Sequence, residues 1–238
     1  MPKLGVNLDH IATLREARKI SEPDPLRGVE IAEKAEADSI VAHLRQDRRH
    51  IKENDMLKMR KVVTTRFNME MSINAEIVKL ALKIKPDQAT LVPENRQEIT
   101  TEGGLDVVSN FQRIKKVVDD LKTNDIMVSL FIDPQAKQIE ASKQTGAEAI
   151  ELHTGEYANA STTDEENKNL QEFREAVALG LNSGLIVHAG HGLNYKNVRR
   201  IAEIKGIEEL NIGHSIISEA IFIGLENAVS EMKKLITL

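Results

Sequence analysis

Residues 66–72 read RFNMEMS. Phe67, Met69 and Met71 alternate with Arg66, Asn68 and Glu70, which is the period of a β-strand. The run is short and too apolar on one side to be surface, so it predicts a strand buried on both faces, as parallel strands under helices are. Seven further runs have the same character: KLGVNL (3–8), DSIVAHL (38–44), QATLVP (88–93), IMVSLFI (126–132), AIELH (149–153), GLIVHA (184–189) and ELNIG (209–213).

The stretches between these runs have helical spacing. Val107, Phe111, Ile114, Val118 and Leu121 form one apolar stripe, and Ile77, Leu80, Ala81 and Ile84 form another. Asn74 is placed to cap the second of these helices. Asp133 and Pro134 read as an N-cap followed by proline at the first helical position, with Gly146 as that helix's stop. Thr163 and Glu166 have capping-box spacing before a long helix toward Asn182. Eight strands alternating with helices predict an α/β fold, a (β/α)8 TIM barrel. No Gly/Ser-rich or Pro-rich linker divides residues 1–238, which read as one domain. ADSIVAH (37–43) echoes AEAIELH (147–153) four strands later, as related half-barrels would, although a match this short also arises by coincidence.

In such a barrel Phe67, Met69 and Met71 pack against helices, and Glu70 points into the upper layer of the interior. Desolvation there raises a carboxyl group's pKa toward neutrality, which suits a general base. The alternative is an ion pair with Arg66 or Arg45, because an unpaired buried charge costs several kcal/mol.

Composition narrows the function. Of 238 residues 41% are hydrophobic but only 3% aromatic, so the core rests on aliphatic side chains. The net charge of -5, with no dense basic stripe, disfavours nucleic acid as a partner. The absence of cysteine excludes disulfides and thiolate chemistry. No apolar run reaches membrane-spanning length, so the expectation is a soluble, cytoplasmic protein without a membrane partner.

Barrel enzymes carry their sites at the C-terminal ends of the strands. The first predicted strand ends in Asn7, Asp9 and His10, and the second in His43 and Arg45, with His50 along the loop. The third carries Glu70. The fourth leads to Glu94, with Thr100 in the long loop that follows. The sixth ends in Glu151 and His153, the seventh runs through His188 to His191, and the eighth ends in Gly213 and His214. All seven histidines therefore fall at one rim. One histidine at a strand end is more often structural than catalytic, but seven together point to proton transfer near neutral pH. His188, inside LIVHA, also reads as a core histidine.

The turns AGHGLN (189–194) and IGHS (212–215) follow the seventh and eighth strands, where barrels often bind phosphate through backbone N–H groups. Ser215 is placed to cap the next helix. Arg18 and Arg45 are candidates for a second phosphate, although REARK (15–19) reads equally as a solvated charge run. No lysine sits at a predicted strand end, which argues against an enzyme-bound Schiff base. A metal-dependent barrel hydrolase lacks its usual His-x-His after the first strand and stays as an alternative. So does a non-catalytic barrel that binds phosphorylated metabolites. No dinucleotide-binding fingerprint is present.

Eight segments together resemble the pyridoxine 5'-phosphate synthases: GVNLDHIATLREAR, HLRQDRRHI, NMEM, LVPENRQEITTEGGLD, SLFID, IELHTGEYA, AGHGLNYKNV and ELNIGHSII. The resemblance spans essentially the whole chain. It implies a barrel with a few extra helices, a homo-octamer built from dimers, and no metal or redox cofactor. The implied reaction condenses 3-amino-2-oxopropyl phosphate with 1-deoxy-D-xylulose 5-phosphate to give pyridoxine 5'-phosphate, phosphate and water. Residue by residue, it implies His43 and Glu70 as proton acceptors, His191 as proton donor and Glu151 as transition-state stabiliser. Asn7, Arg18, Gly192, Gly213 and His214 would hold the amino-ketone phosphate or the product. Asp9, His10, Arg45, His50 and Thr100 would hold the deoxyxylulose phosphate. Two positions depart from the pattern: His188 stands where Asn is expected, and Asn95 where Lys is expected. The first is expected to retune a hydrogen bond near His191. The loop PENRQEITTEGG (93–104) reads as a lid with Gly103 and Gly104 as hinges.

Overall fold

The computed structural model describes residues 1–94 and 103–237 and has eight parallel strands closed into a barrel in chain order. β1 (Lys3–Asn7) is followed by α1 (Asp9–Arg18) and α2 (Pro25–Lys34). β2 (Ser39–Leu44) leads to α3 (Glu53–Val62), and β3 (Arg66–Met71) to α4 (Ala75–Ile84). After β4 (Gln88–Leu91) come α5 (Phe111–Lys122), β5 (Met127–Ile132) and α6 (Ala136–Thr145). β6 (Ala149–His153) precedes a single turn, α7 (Gly155–Ala158), and the long α8 (Thr163–Asn182). Then follow β7 (Ile186–Gly190), α9 (Val198–Ala202), β8 (Ile207–Ile212), α10 (His214–Ile223) and α11 (Leu225–Thr237). β1, β6 and β8 each carry a second helix, so the expected TIM barrel with a few extra helices is what the chain forms.

The apolar core lies between strands and helices. Phe67, Met69 and Met71 are fully buried there, beside helix residues such as Met56, Met59 and Ile77. Each such side chain contributes roughly 1.5–3 kcal/mol by leaving water. The barrel interior is polar instead. Ser39, Asn68, Gln88, Thr90 and Ser129 are all fully buried. Thr90 Oγ1 donates to Asn68 Oδ1 at 2.9 Å and accepts from Gln88 Nε2 at 3.1 Å. At the lower end the Arg66 guanidinium donates to the Glu209 carboxylate. Arg66 is thereby committed, which removes it as the ion-pair partner considered for Glu70.

Local signals set most boundaries. The Asn74 carboxamide accepts from the Glu76 N–H at 2.9 Å, as expected of a cap, and Gly146 ends α6 at φ 89°. Four local expectations need correction. α5 starts at Phe111, and Val107 is buried in the turn before it. α6 starts at Ala136, so Asp133 and Pro134 do not cap it; Asp133 instead accepts the Gly104 N–H at 2.8 Å. α8 is capped one residue early, where Thr162 accepts from the Glu165 N–H at 3.2 Å. Ser215 does not cap α10, because Gly213 holds the cap position and the Ser215 hydroxyl donates to the Leu193 carbonyl at 2.8 Å.

The charge run REARK divides in two. Arg15 is buried and donates to both oxygens of Asp55, at 2.9 and 2.7 Å, and to the His50 carbonyl at 3.0 Å. This buried fork ties α1 to the loop that carries His50, and removing one partner from such a pair typically costs about 3–5 kcal/mol. Arg18 lies exposed on the last turn of α1.

Candidate active site

A cavity of about 660 Å³ opens at the C-terminal ends of the strands, within the range of small-molecule sites. Its wall includes Asn7 at the end of β1 with Asp9 and His10 just after it, His43, Arg45 and His50 from β2 and its loop, and Glu70 of β3. Glu151 of β6, His191 and Gly192 after β7, and Gly213 and His214 after β8 complete the polar set. Twelve of the fourteen expected site residues therefore meet in one cavity. Arg18 does not line it. Thr100 lies outside the described residues, as do Asn95 and most of the expected lid.

Register explains the meeting. β2 and β3 pair with His43 opposite Glu70, so both side chains point inward at the same height. His43 Nδ1 lies 4.0 Å from Glu70 Oε2. Asn7 donates to Asp9 Oδ2 at 3.0 Å and to Glu70 Oε2 at 3.4 Å. Asp9 Oδ1 accepts the His43 backbone N–H at 2.8 Å. The Asn7 and Asp9 side chains, at and just after the end of β1, thus help to fix the positions of both candidate bases. Asp9, His43 and Glu70 each offer one ligand-type atom within 4.8 Å of the others.

The carboxyl groups do not behave alike. Burial raises Glu70 well above the ordinary carboxyl range, and the nearby charges of Glu151 and Asp9 raise it further. Burial also pushes Glu151 up, against the Asn211 carboxamide that donates to it at 2.7 Å and with the charge of Glu209, to about 8. Asp47 is burdened by burial, yet Arg49 and Arg45 hold it down at about 2. The cavity therefore disfavours the charged forms of both Glu70 and Glu151.

Burial shifts four of the imidazoles, His10, His50, His188 and His191, toward the neutral form. Burial, helped by His153, pushes His191 down to about 4. Burial and His214 lower His10, against Asp9, and the two rings meet edge-on at 4.8 Å. His188 is fully buried opposite Glu151 in the register of β6 and β7, and burial, Arg66 and Lys3 push it to about 3. Neither of its ring nitrogens has a hydrogen-bond partner among the described residues, so it is the core histidine, and it makes no hydrogen bond toward His191.

The two glycine turns are shaped for close approach. His191 and Gly192 both have positive φ, 76° and 81°, so the backbone after β7 reverses abruptly. Thr154 pins this turn, its hydroxyl donating toward the carbonyls of Gly190, at 2.8 Å, and of His191. A Cβ on Gly213 would sit 2.9 Å from the Asn7 side chain.

Some wall residues escape the strand-end reading. Asn211 sits two residues after Glu209 in β8, the same period-two polar placement that exposes Glu70 in β3, so its signal was in the sequence. Arg49 and Phe131 also line the cavity. Nothing in their local sequence separates them from ordinary loop and core residues.

Glu151 permits a test of the electrostatics. Its folded-state pKa lies above its ordinary value near 4.5, so its contribution to stability is full below that value and is lost as pH rises toward about 8. In Glu151→Gln that loss disappears. Melting curves should show the variant gaining on the parent chain from pH 5 to pH 8, by the order of several kcal/mol. A constant difference across that range would refute the raised pKa.

Fold and cavity together define a (β/α)8-barrel enzyme whose wall is built for proton transfer. The family described as "Pyridoxal phosphate biosynthesis protein PdxJ" matches residues 4–238. The chain belongs to this family, the pyridoxine 5'-phosphate synthases. It is 55% identical over 234 residues to the "Pyridoxine 5'-phosphate synthase" of Synechocystis sp. (strain ATCC 27184 / PCC 6803 / Kazusa), covering 98% of this chain and 97% of the relative. It is 53% identical over 236 residues to the protein of the same name from Trichlorobacter lovleyi, covering 99% of both. Among solved structures, a thiamine phosphate pyrophosphorylase from Pyrococcus furiosus superposes with TM-score 0.62 at 16% identity, covering 99% of this chain and 95% of that one. A phosphoribosylanthranilate isomerase from Thermotoga maritima superposes with TM-score 0.64 at 11% identity, covering 100% and 99%. These two likenesses are of fold alone.

Proposed function

We propose that the cavity condenses 3-amino-2-oxopropyl phosphate with 1-deoxy-D-xylulose 5-phosphate to give pyridoxine 5'-phosphate, phosphate and water. The observation that carries this reading is the pairing of His43 and Glu70 in register, 4.0 Å apart, on the wall of the cavity. Closing the ring requires repeated proton removal next to carbonyl carbons, dehydrations, and loss of one phosphate. Glu70 and His43 take the protons from carbon. Glu151, largely protonated at neutral pH, donates a hydrogen bond to oxygen as charge develops there. His191 protonates leaving groups. Free of ligand it is neutral, and an arriving phosphate dianion works in the direction of charging it.

The glycine turns at Gly192 and Gly213 receive one phosphate through backbone N–H groups. Arg45 and His50 hold the other, with Asp9 and His10 on the hydroxyls of the sugar. These assignments use side chains and backbone only, without metal or redox cofactor. Exposed Leu14, Ile20, Ile221 and Phe222 support self-association, for which a homo-octamer in the cytoplasm is the proposed form. No helix among the described residues is long and apolar enough to cross a membrane.

Incubation of the purified chain with the two substrates, in excess chelator, tests the reading. Pyridoxine 5'-phosphate and phosphate should appear in equal amounts. No product, or product only with added divalent metal, would reject it.

A further inference from the structure

Glu94, three residues beyond a strand that contributes no other polar end group, makes two well-formed hydrogen bonds. Its Oε1 lies 3.1 Å from His43 Nε2, and its Oε2 accepts the Gln46 backbone N–H at 2.9 Å. Its side chain is 4% exposed, and that of His43 is 7% exposed. Burial works to raise the carboxyl, but His43 and Gln46 outweigh it and hold it below the ordinary range, so it is ionised. An ionised carboxylate only accepts, so the nitrogen facing it must carry the proton. His43 Nδ1 then presents its lone pair, on the side of Glu70, 4.0 Å away.

We propose that Glu94 is a positioning residue that fixes His43 in the Nε2–H tautomer, so that Nδ1 is the atom that accepts the substrate proton. This deepens the synthase reading and rests on it. When His43 takes a proton at Nδ1, the adjacent Glu94 carboxylate stabilises the imidazolium without itself moving. The backbone bond to Asp9 sets where His43 sits, and Glu94 sets which of its nitrogens is basic.

Glu94→Gln separates this role from packing. The Gln46 N–H can only donate, so it keeps the amide oxygen. The amide NH2 is then left facing His43 Nε2, which must become the acceptor. The ring proton moves to Nδ1 and the base loses its lone pair. Replacing an orienting carboxylate by its amide costs about 10⁴-fold in kcat in the best-studied example of such a pair. Here kcat should fall by about 10²–10⁴-fold with KM within about threefold.

Nitrogen-15 NMR of histidine-labelled protein, with the His43 signals assigned by their loss in His43→Asn, reads the tautomer directly. The parent chain should show Nε2 protonated, and Glu94→Gln should show Nδ1 protonated with an unchanged melting temperature. Nδ1–H in the parent chain would overturn the proposal, whether or not the variant folds. So would a folded Glu94→Gln with kcat within about threefold of the parent. If the parent chain makes no product, the synthase reading fails while the tautomer measurement still stands.

Discussion

Glu70→Gln is expected to fold as the parent chain does and to lose turnover by about 10²–10⁴-fold, the usual contribution of a positioned general base. The amide matches the carboxyl in shape and can still accept from Asn7, so the geometry around β3 is preserved. What disappears is the capacity to take a proton. Burial, then Glu151, then Asp9 raise the Glu70 pKa, so its ionisation works against the fold. The stabilising contribution of the neutral form is present below the ordinary carboxyl pKa and lost as pH rises through the raised one. The variant should therefore melt no lower than the parent at pH 6 and higher at pH 9. This is the trade expected where a destabilising group is kept for chemistry. Single-turnover assays and thermal melts decide it: a folded variant with turnover near that of the parent removes Glu70 as base.

Most of the fold was legible because a buried parallel strand writes two faces into one short run. In β3 the alternation located the strand, its outward face and its inward carboxylate together. AIELH reads the same way, and β6 covers those same residues. Helix starts were less legible. Asp133 resembles a cap locally, but its carboxylate is committed to the Gly104 N–H and to His153 Nδ1 at 3.2 Å, contacts that come from other strands and loops. The same limit hid Arg15, whose partner Asp55 lies forty positions along the chain. It also hid what Glu94 does for His43, since the strand-end position was readable and the contact was not. Arg18 shows the converse: its type suits a phosphate, yet its place on α1 puts it outside this chain's cavity wall.

His191 separates stability from chemistry in a way one pair of variants can expose. Its backbone sits at φ 76°, which costs a non-glycine residue of the order of 1–3 kcal/mol. Its ring meets His153 edge-on at 5.0 Å and Phe131 at 6.3 Å, and such contacts are worth about 0.5–1.5 kcal/mol each. His191→Ala loses the rings and keeps the strain, so it should be destabilised. His191→Gly loses the same rings but releases the strain, offset in part by the roughly 0.5–1 kcal/mol of extra chain entropy that glycine loses on folding. The glycine variant should therefore melt above the alanine variant. If His191 is the proton donor, both should lose about 10²–10⁴-fold in kcat despite that difference. Added imidazole should restore part of the turnover in the glycine variant, where the ring's space is left open. The stability order reports on the turn after β7, and the rescue reports on the proton. Full activity in either folded variant would take His191 out of the mechanism, and an alanine variant as stable as the glycine one would show that the turn carries no strain.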